Sequence, residues 1–263
     1  MTDTPSESAI KDVYAGDVSA AFREIRRLLP KYPVVAIDTE FPGSFNDTDR
    51  LALLAARPLL SSYSSAYARF RLNVDSMKLI QFGITLANHQ GEFPTPHASW
   101  QFNLLFDTEK DISIQGSIAL LKEHGLDFER NRREGIHPVV FSYEYLASGL
   151  LYNSDLTYVC FHGSYDFGYL ISTVLCTDLP TTPLEFNSLL ARMFPGPLCD
   201  IKVCYSWSSS LANLATECLV ERLGTQHQAG SDALVTMKVY QCLRAARGAP
   251  RKELLHVLYG LEG

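Results

Sequence analysis

The chain has 263 residues, 46% of them hydrophobic and 20% charged, so it can bury a sizeable core within one large domain. With 23 Lys and Arg against 29 Asp and Glu, its formal net charge is −6, which argues against a broad basic surface for nucleic acid. No apolar run reaches the length of a membrane-spanning helix, and the polar N-terminus, MTDTPSESAI, is unlike a secretory or transit signal. A nucleic-acid partner would therefore be held locally, by a few basic or aromatic groups and by bound metal.

The first half of the chain predicts two helical segments, one buried strand and a hairpin. Apolar residues recur at helical spacing over residues 18–29, and Pro33 ends that helix just before a strand at about 33–40. After a polar stretch, residues 51–70 have a largely helical pattern that is broken at a proline. Two alternating apolar runs in KLIQFGITLANHQGEFPTPHASWQFNLLF then predict an antiparallel hairpin with a long loop.

The second half alternates helices with short buried strands. We expect helices at about 114–124 and 138–149, in SYDFGYLISTVL, at 183–193, 209–222 and about 230–246, and strands in LTYVCFHG and near PLCDIK. Because strands come first and then alternate with helices, we expect a mixed sheet covered by helices on both faces. The chain has no internal repeat or low-complexity tract, so residues 1–263 are expected to form a single α/β domain.

The stretch VVAIDTEFPG, residues 34–43, contains two acids two positions apart at the end of the first predicted strand. Alternate side chains of an extended backbone share a face, so Asp38 and Glu40 point the same way and lie close together. Two like charges beside a core are costly unless a cation lies between them. A lone acid here would be typical of a turn, whereas the pair indicates a cation site.

Two further acids lie where apolar helices begin. Asp166 is in the first turn of the helix in FHGSYDFGYL, and Asp232 is early in the last helix, in HQAGSDALV. Either acid alone is more typical of helix capping than of catalysis. Together with Asp38 and Glu40, however, they form a four-carboxylate set that two divalent ions, Mg²⁺ or Mn²⁺, would neutralise. His227, five residues before Asp232, is then a candidate general base for water.

These motifs, in this order, resemble those of the DEDD-type 3′–5′ exonucleases that have a histidine as the fifth residue. Six segments of the chain are similar to segments of the Pop/Caf-type deadenylase subunits of the eukaryotic Ccr–Not mRNA-decay complex. They are IDTEFPG, FHGSYDFGYL, HQAGSD, NVDSMKLIQFGITL, WQFNLLF and MFPGPLCDIK. The resemblance covers nearly the whole chain from about Val13. It implies a ribonuclease H-like fold, and it implies a poly(A)-specific 3′–5′ exoribonuclease that releases 5′-AMP by two-metal-ion hydrolysis.

The resemblance also implies a role for each of the five motif residues. Asp38 would bridge both metal ions, with Glu40 and Asp232 supporting the ion that activates water. Asp166 would support the second ion, beside the leaving 3′-oxygen. His227 would be the general base.

Residues beside the acids are candidates for substrate contact. Phe41 could stack on the terminal base or pack in the core, and the sequence leaves both alternatives open. His162 and Tyr165 flank Asp166 and could approach phosphate or sugar, although packing is an equal alternative. A departure from the family pattern at residues 44–54 predicts an insertion, which would change substrate affinity or partner contacts rather than the chemistry.

The expected partners also follow from the resemblance. They are single-stranded RNA with a 3′ poly(A) tail and the scaffold and second nuclease subunits of the Ccr–Not complex, with no membrane association. A cytoplasmic location is expected, and a nuclear location is a further expectation. Two alternatives stay open: a catalytically weak scaffold or adaptor that keeps the fold, and a 3′–5′ exonuclease of broader nucleic-acid specificity. The presence of all five motif residues favours an active enzyme.

Overall fold

The structure, a computed structural model, describes residues 9–45 and 66–261. Most of the predicted insertion, residues 46–54, and most of the helical pattern predicted for residues 51–70 lie outside the described residues. Within the two described ranges, no helix is both long enough and apolar enough to cross a membrane.

One mixed six-stranded sheet runs through the described chain. Its strands are β1 (Ile10–Val13), β2 (Val34–Glu40), β3 (Gln81–Ala87), β4 (Ser99–Asn103), β5 (Thr157–Cys160) and β6 (Leu198–Asp200), in the spatial order β1-β4-β3-β2-β5-β6. β3 is antiparallel to both of its neighbours, whereas the pairs β1–β4, β2–β5 and β5–β6 are parallel. The carboxyl ends of all strands except β3 therefore lie at the same edge of the sheet.

Helices connect and cover these strands. In the described residues they are α1 (Val18–Leu28), α2 (Ala66–Ser76), α3 (Gln115–Glu123), α4 (Phe128–Glu134), α5 (Pro138–Ala147), α6 (Ser164–Leu175), α7 (Pro183–Met193), α8 (Ile201–Cys204), α9 (Leu211–Glu217) and α10 (Ala229–Arg247). Local sequence explains several of their ends. Thr182 and Glu185 form a reciprocal capping box at the start of α7, and Gly248 follows the last residue of α10 with a positive φ of 83°.

Alternation along β2 divides its side chains between two cores. Val35 and Ile37 face the larger core, to which α1, α5, α6 and α7 contribute aliphatic and aromatic side chains. Val34 and Ala36 face a second core that is closed mainly by α10, the helix that packs across β1 to β5. The acid pair at the end of β2 continues the second series, so both carboxylates lie on the α10 side of the sheet.

Most of the predicted elements are confirmed, including the mixed sheet with helices on both faces. The strand predicted at 33–40 is β2, and the predicted antiparallel hairpin is the pair β3–β4. The helix predicted at 183–193 is α7. The sequence pattern missed β1, because its residues, IKDV, alternate weakly and form a strand only by parallel pairing with β4.

The predicted helix at 209–222 is wrong in extent, since α9 covers only Leu211–Glu217. Leu219 adopts a left-handed backbone conformation with φ of 53°. The N–H of Val220 then donates to the carbonyl of Ala215 at 2.8 Å, which is a helix-terminating hydrogen bond of the Schellman type. A polar loop therefore leads from α9 to α10.

Candidate active site

The four candidate acids converge at the carboxyl edge of the sheet. Asp38 and Glu40 end β2. Asp166 lies in the first turn of α6, shortly after β5, and Asp232 lies in the first turn of α10. Because β2 and β5 are parallel neighbours, their carboxyl ends meet, which is where ligands bind in open α/β sheets.

A glycine in β3 lets α10 approach this edge. Gly83 is the strand partner of Asp38, and a Cβ atom on Gly83 would lie only 2.0 Å from the carbonyl oxygen of Ala229. The first residue of α10 therefore packs directly on the sheet backbone, which a larger residue in β3 would prevent. This close approach brings Asp232, three residues further along α10, to the face that carries Asp38.

Amide side chains of the sheet anchor the start of α10. Gln81 Oε1 accepts a hydrogen bond from the first N–H of the helix at 2.8 Å, and Gln101 Oε1 accepts one from the second at 3.0 Å. Both Nε2 groups donate to Gln228 Oε1 at 3.1 Å. These bonds satisfy N–H groups that have no partner within a helix, and they fix the segment that carries the candidate histidine.

The acid cluster has an excess of negative charge. Burial raises the pKa of Asp38 well above its ordinary value, and the three other candidate acids add to the rise. Burial, together with Asp232 and Asp166, raises the pKa of Glu40 in the same way. Burial also raises the pKa of Asp166 to about 7. Neighbouring buried carboxylates resist ionising together, so this site favours bound cations.

Asp232 contacts both a cation and the candidate histidine. Its Oδ1 accepts a hydrogen bond from Arg222 Nη1 at 2.5 Å, and its Oδ2 accepts one from the backbone N–H of His227 at 2.9 Å. One potential ligand atom each from Glu40, His227 and Asp232 lies within 4.8 Å of the other two. Carboxylate oxygens of this kind suit the hard ions Mg²⁺ and Mn²⁺, so the residues present fit such a cofactor.

His227 is held in a defined orientation. Its backbone has a positive φ of 59°, and its ring lies edge-on to that of His124, with the centroids 4.6 Å apart. Burial lowers the pKa of His227, although the charge of Asp232 opposes this effect. The imidazole is therefore neutral near pH 7, the state in which it can accept a proton.

Three residues support the acids, and two of them, Thr39 and Arg222, were missed by the sequence reading. Thr39 Oγ1 donates a hydrogen bond of 2.5 Å to Asp166 Oδ1, and Arg222 pairs with Asp232. Asp200 is fully buried and accepts hydrogen bonds from four backbone N–H groups, at residues 162, 163, 202 and 259. A threonine between two acids was the one local signal, because ten residues separate Arg222 from its partner Asp232.

The three candidate substrate residues occupy two separate places. Phe41 stacks on Tyr165 and Tyr169, with ring centroids 5.1 and 4.9 Å apart, and packs against the larger core. His162 instead lies edge-on to Tyr259 of the C-terminal segment, at 4.7 Å. Phe41 and Tyr165 therefore belong to one aromatic stack and His162 to another cluster. Their contacts with substrate stay predictions.

An acid cluster of this kind at the carboxyl edge of an α/β sheet is typical of metal-dependent hydrolases, nucleases and phosphatases among them. The sequence profile of the CAF1 family ribonucleases matches residues 13–143. Poly(A) ribonuclease pop2 of Schizosaccharomyces pombe is 36% identical over 263 aligned residues, which cover 97% of this chain and 75% of that protein. The chain belongs to the CAF1 family of ribonucleases.

Solved structures show the same relationship in three dimensions. Pop2p of S. pombe, in its Mg²⁺- and Mn²⁺-bound form, has 35% identity and a TM-score of 0.87, covering 96% of this chain and 99% of that one. A chain from the structure of the yeast NOT1 MIF4G domain co-crystallised with CAF1 has 25% identity and a TM-score of 0.80, covering 98% and 100%. The predicted ribonuclease H-like fold is thereby confirmed.

Proposed function

We propose that this chain is a poly(A)-specific 3′–5′ exoribonuclease that shortens mRNA tails and releases 5′-AMP. Membership of the CAF1 family and the similarity to a poly(A) ribonuclease over 97% of the chain support this function. The observation that carries it is the close grouping of Glu40, His227 and Asp232 on the face of the sheet that also holds Asp38. Two-metal-ion hydrolysis of a phosphodiester uses such a combination of carboxylates and a base.

Two divalent ions, Mg²⁺ or Mn²⁺, are the proposed cofactors. Asp38, Glu40, Asp166 and Asp232 would hold them through carboxylate oxygens, the ligands that these ions prefer. When bound, such ions lower the pKa of water and stabilise a departing alkoxide. The raised pKa values of Asp38 and Glu40, caused first by burial and then by neighbouring acids, support a site in which bound cations stabilise the ionised carboxylates.

His227 is the proposed general base. Because burial lowers its pKa, the neutral ring can take a proton from water at neutral pH. A ring nitrogen of His227 lies within 4.8 Å of carboxylate oxygens of Glu40 and Asp232, so the base and these two acids face the same small region. The hydrogen bond from the backbone N–H of His227 to Asp232 fixes the position of the base relative to this acid.

A scaffold and a second nuclease subunit, as in a Ccr–Not complex, are the proposed protein partners. The likeness to the chain co-crystallised with a NOT1 domain supports the scaffold. On α5, Val139, Tyr143 and Leu146 are 58%, 71% and 49% exposed, and their spacing places them on one helical face. We assign the scaffold contact to this apolar face. Decay of mRNA is a cytoplasmic role, and a nuclear location stays a prediction.

The test is a deadenylation assay on a 5′-labelled RNA that ends in an A-tail, with Mg²⁺, Mn²⁺ or chelator. We expect stepwise shortening that slows at the first non-A nucleotide and disappears with chelator and in Asp38→Asn. Asp17→Asn is the matched control, because Asp17 is exposed and its side chain caps no helix. Equal trimming of every 3′ end would favour the exonuclease of broader specificity. Inactivity of the folded protein would favour the scaffold.

A further inference from the structure

The imidazole of His227 has no hydrogen-bond partner to orient it. In enzymes that use a histidine as a base, a third group usually hydrogen-bonds the imidazole and fixes its orientation. The backbone N–H of His227 donates to Asp232, but within residues 9–45 and 66–261 neither ring nitrogen of His227 forms a hydrogen bond. The backbone bond leaves the side-chain torsions free to change, so another contact has to orient the ring.

His124 provides a ring contact with this base. The centroids of the two imidazole rings are 4.6 Å apart and their planes meet at 84°, which is a favourable edge-to-face arrangement. Among the described residues, His124 is the one aromatic residue whose ring contacts that of His227. Both side chains are partly exposed, so the contact supports one side of the base and leaves the rest of its ring open to the site.

His124 is itself held in place at the end of α3. Its Nδ1 atom lies 2.8 Å from the carbonyl oxygen of Leu120, and because a carbonyl can only accept, Nδ1 is the donor of this bond. The carbonyl of His124 accepts a hydrogen bond from Gln228 Nε2 at 3.1 Å. The end of α3 is thereby joined to the residue that follows the base, so the ring of His124 is a fixed support for it.

We infer that His124 is a positioning residue, which holds the imidazole of His227 in the rotamer that faces Glu40 and Asp232. The inference rests on the proposed function, in which His227 takes a proton from water. His124 acts through ring packing and exchanges no proton in this role, so an aromatic ring without nitrogen atoms should replace it. Without any ring at this position, His227 would occupy the productive rotamer for a smaller fraction of the time.

The experiment compares three variants with wild type on a 5′-labelled RNA that ends in an A-tail. His124→Ala removes the ring, His124→Asn keeps a donor for the Leu120 carbonyl, and His124→Phe keeps a ring. For His124→Ala and His124→Asn we expect kcat to fall about fivefold with KM unchanged, roughly the value of one edge contact between rings. His124→Phe should keep the wild-type kcat. His89→Ala is the matched control, because His89 is exposed in the loop after β3, at the opposite edge of the sheet.

NMR of the metal-free protein gives a second readout that requires no activity. Three-bond couplings across χ1 of His227, assigned by comparison with His227→Gln, report the rotamer of the base. We expect the couplings of a single rotamer in wild type and His124→Phe, and averaged couplings in His124→Ala and His124→Asn. A lower Tm with unchanged kcat and couplings would mean that His124 only stabilises the end of α3.

Three further results would overturn the inference. They are an unchanged kcat in His124→Ala, a kcat in His124→Phe as low as in His124→Ala, and a single His227 rotamer in His124→Ala. The NMR readout also separates this inference from the proposed function. If wild type degrades no RNA with either metal, and the couplings average only in the variants without a ring, the positioning of His227 by His124 stands and the proposed exoribonuclease does not.

Discussion

Arg222 Nη1, in the loop that precedes α10, donates a hydrogen bond of 2.5 Å to Asp232 Oδ1, ten residues further along the chain. The same nitrogen lies 3.1 Å from Ser231 Oγ, so the guanidinium is held at the start of the helix. Its charge counteracts the burial and acid repulsion that raise the pKa values of Asp38 and Glu40. The protein thus supplies one positive charge to its own acid cluster.

Arg222→Gln should destabilise the metal-free protein more than the metal-bound one. Removing one partner of a largely buried ion pair costs roughly 2 kcal/mol or more, or about 5 °C in Tm for a chain of this size. We expect this decrease in Tm in chelator and a smaller decrease in saturating Mg²⁺, because bound ions then neutralise Asp232. Thermal unfolding measures both. Arg132→Gln, which removes an exposed pair with Glu129, should change Tm little in either condition. Equal losses with and without metal would contradict this account of Arg222.

Thr39→Val should weaken metal binding without unfolding the protein. Thr39 Oγ1 orients the buried Asp166 carboxylate, and loss of such an orienting hydrogen bond reduces metal affinity by about 10- to 100-fold. Titration calorimetry with Mn²⁺ gives the affinity directly. Thr39→Ser keeps the hydroxyl and should bind like wild type. An affinity in Thr39→Val equal to that of wild type would show that Asp166 is oriented by other contacts.

Gly83→Ala should displace the start of α10. The added Cβ would overlap the Ala229 carbonyl, so the helix must move or the strand must bend. We expect a loss of about 1–3 kcal/mol in the free energy of unfolding, measured with urea, and a larger fractional loss of nuclease activity. Gly16→Ala is the control, because a Cβ there meets no atom within 4 Å. Full activity in Gly83→Ala would mean that the position of α10 on β3 is not critical.

The stability of the metal-free protein should fall as pH rises. Burial raises the pKa of folded Asp166 to about 7 from an ordinary value of 3.8. Its favourable contribution is therefore fully present below pH 3.8 and is lost as pH rises through 7. The free energy of unfolding in chelator should decline between about pH 4 and pH 8, and Asp166→Asn should flatten this decline. Saturating Mg²⁺ should remove it in wild type. A steeper decline in the variant would contradict the assigned pKa direction.

Elements with strong local patterns were predictable from the sequence. The apolar run before Asp38 and the capping signals at residues 182–185 specify their structures with little help from distant residues. β1 was not predictable, because four residues with weak alternation become a strand only beside β4. The early end of α9 could not be predicted either, because it depends on the left-handed backbone conformation of Leu219. Leucine seldom adopts this conformation.

The sequence by itself determined that Asp38 and Glu40 share a face, because side-chain direction along a strand is a local property of two alternate residues. It also carried the motifs that resemble a nuclease family. Only the tertiary structure decided which groups surround these acids. The bond from Thr39 to Asp166 spans 127 residues of chain and depends on the order of strands, whereas the position of Asp232 depends on the close packing of α10 at Gly83. Such contacts produce no periodic pattern in the sequence, because the fold determines which residues meet.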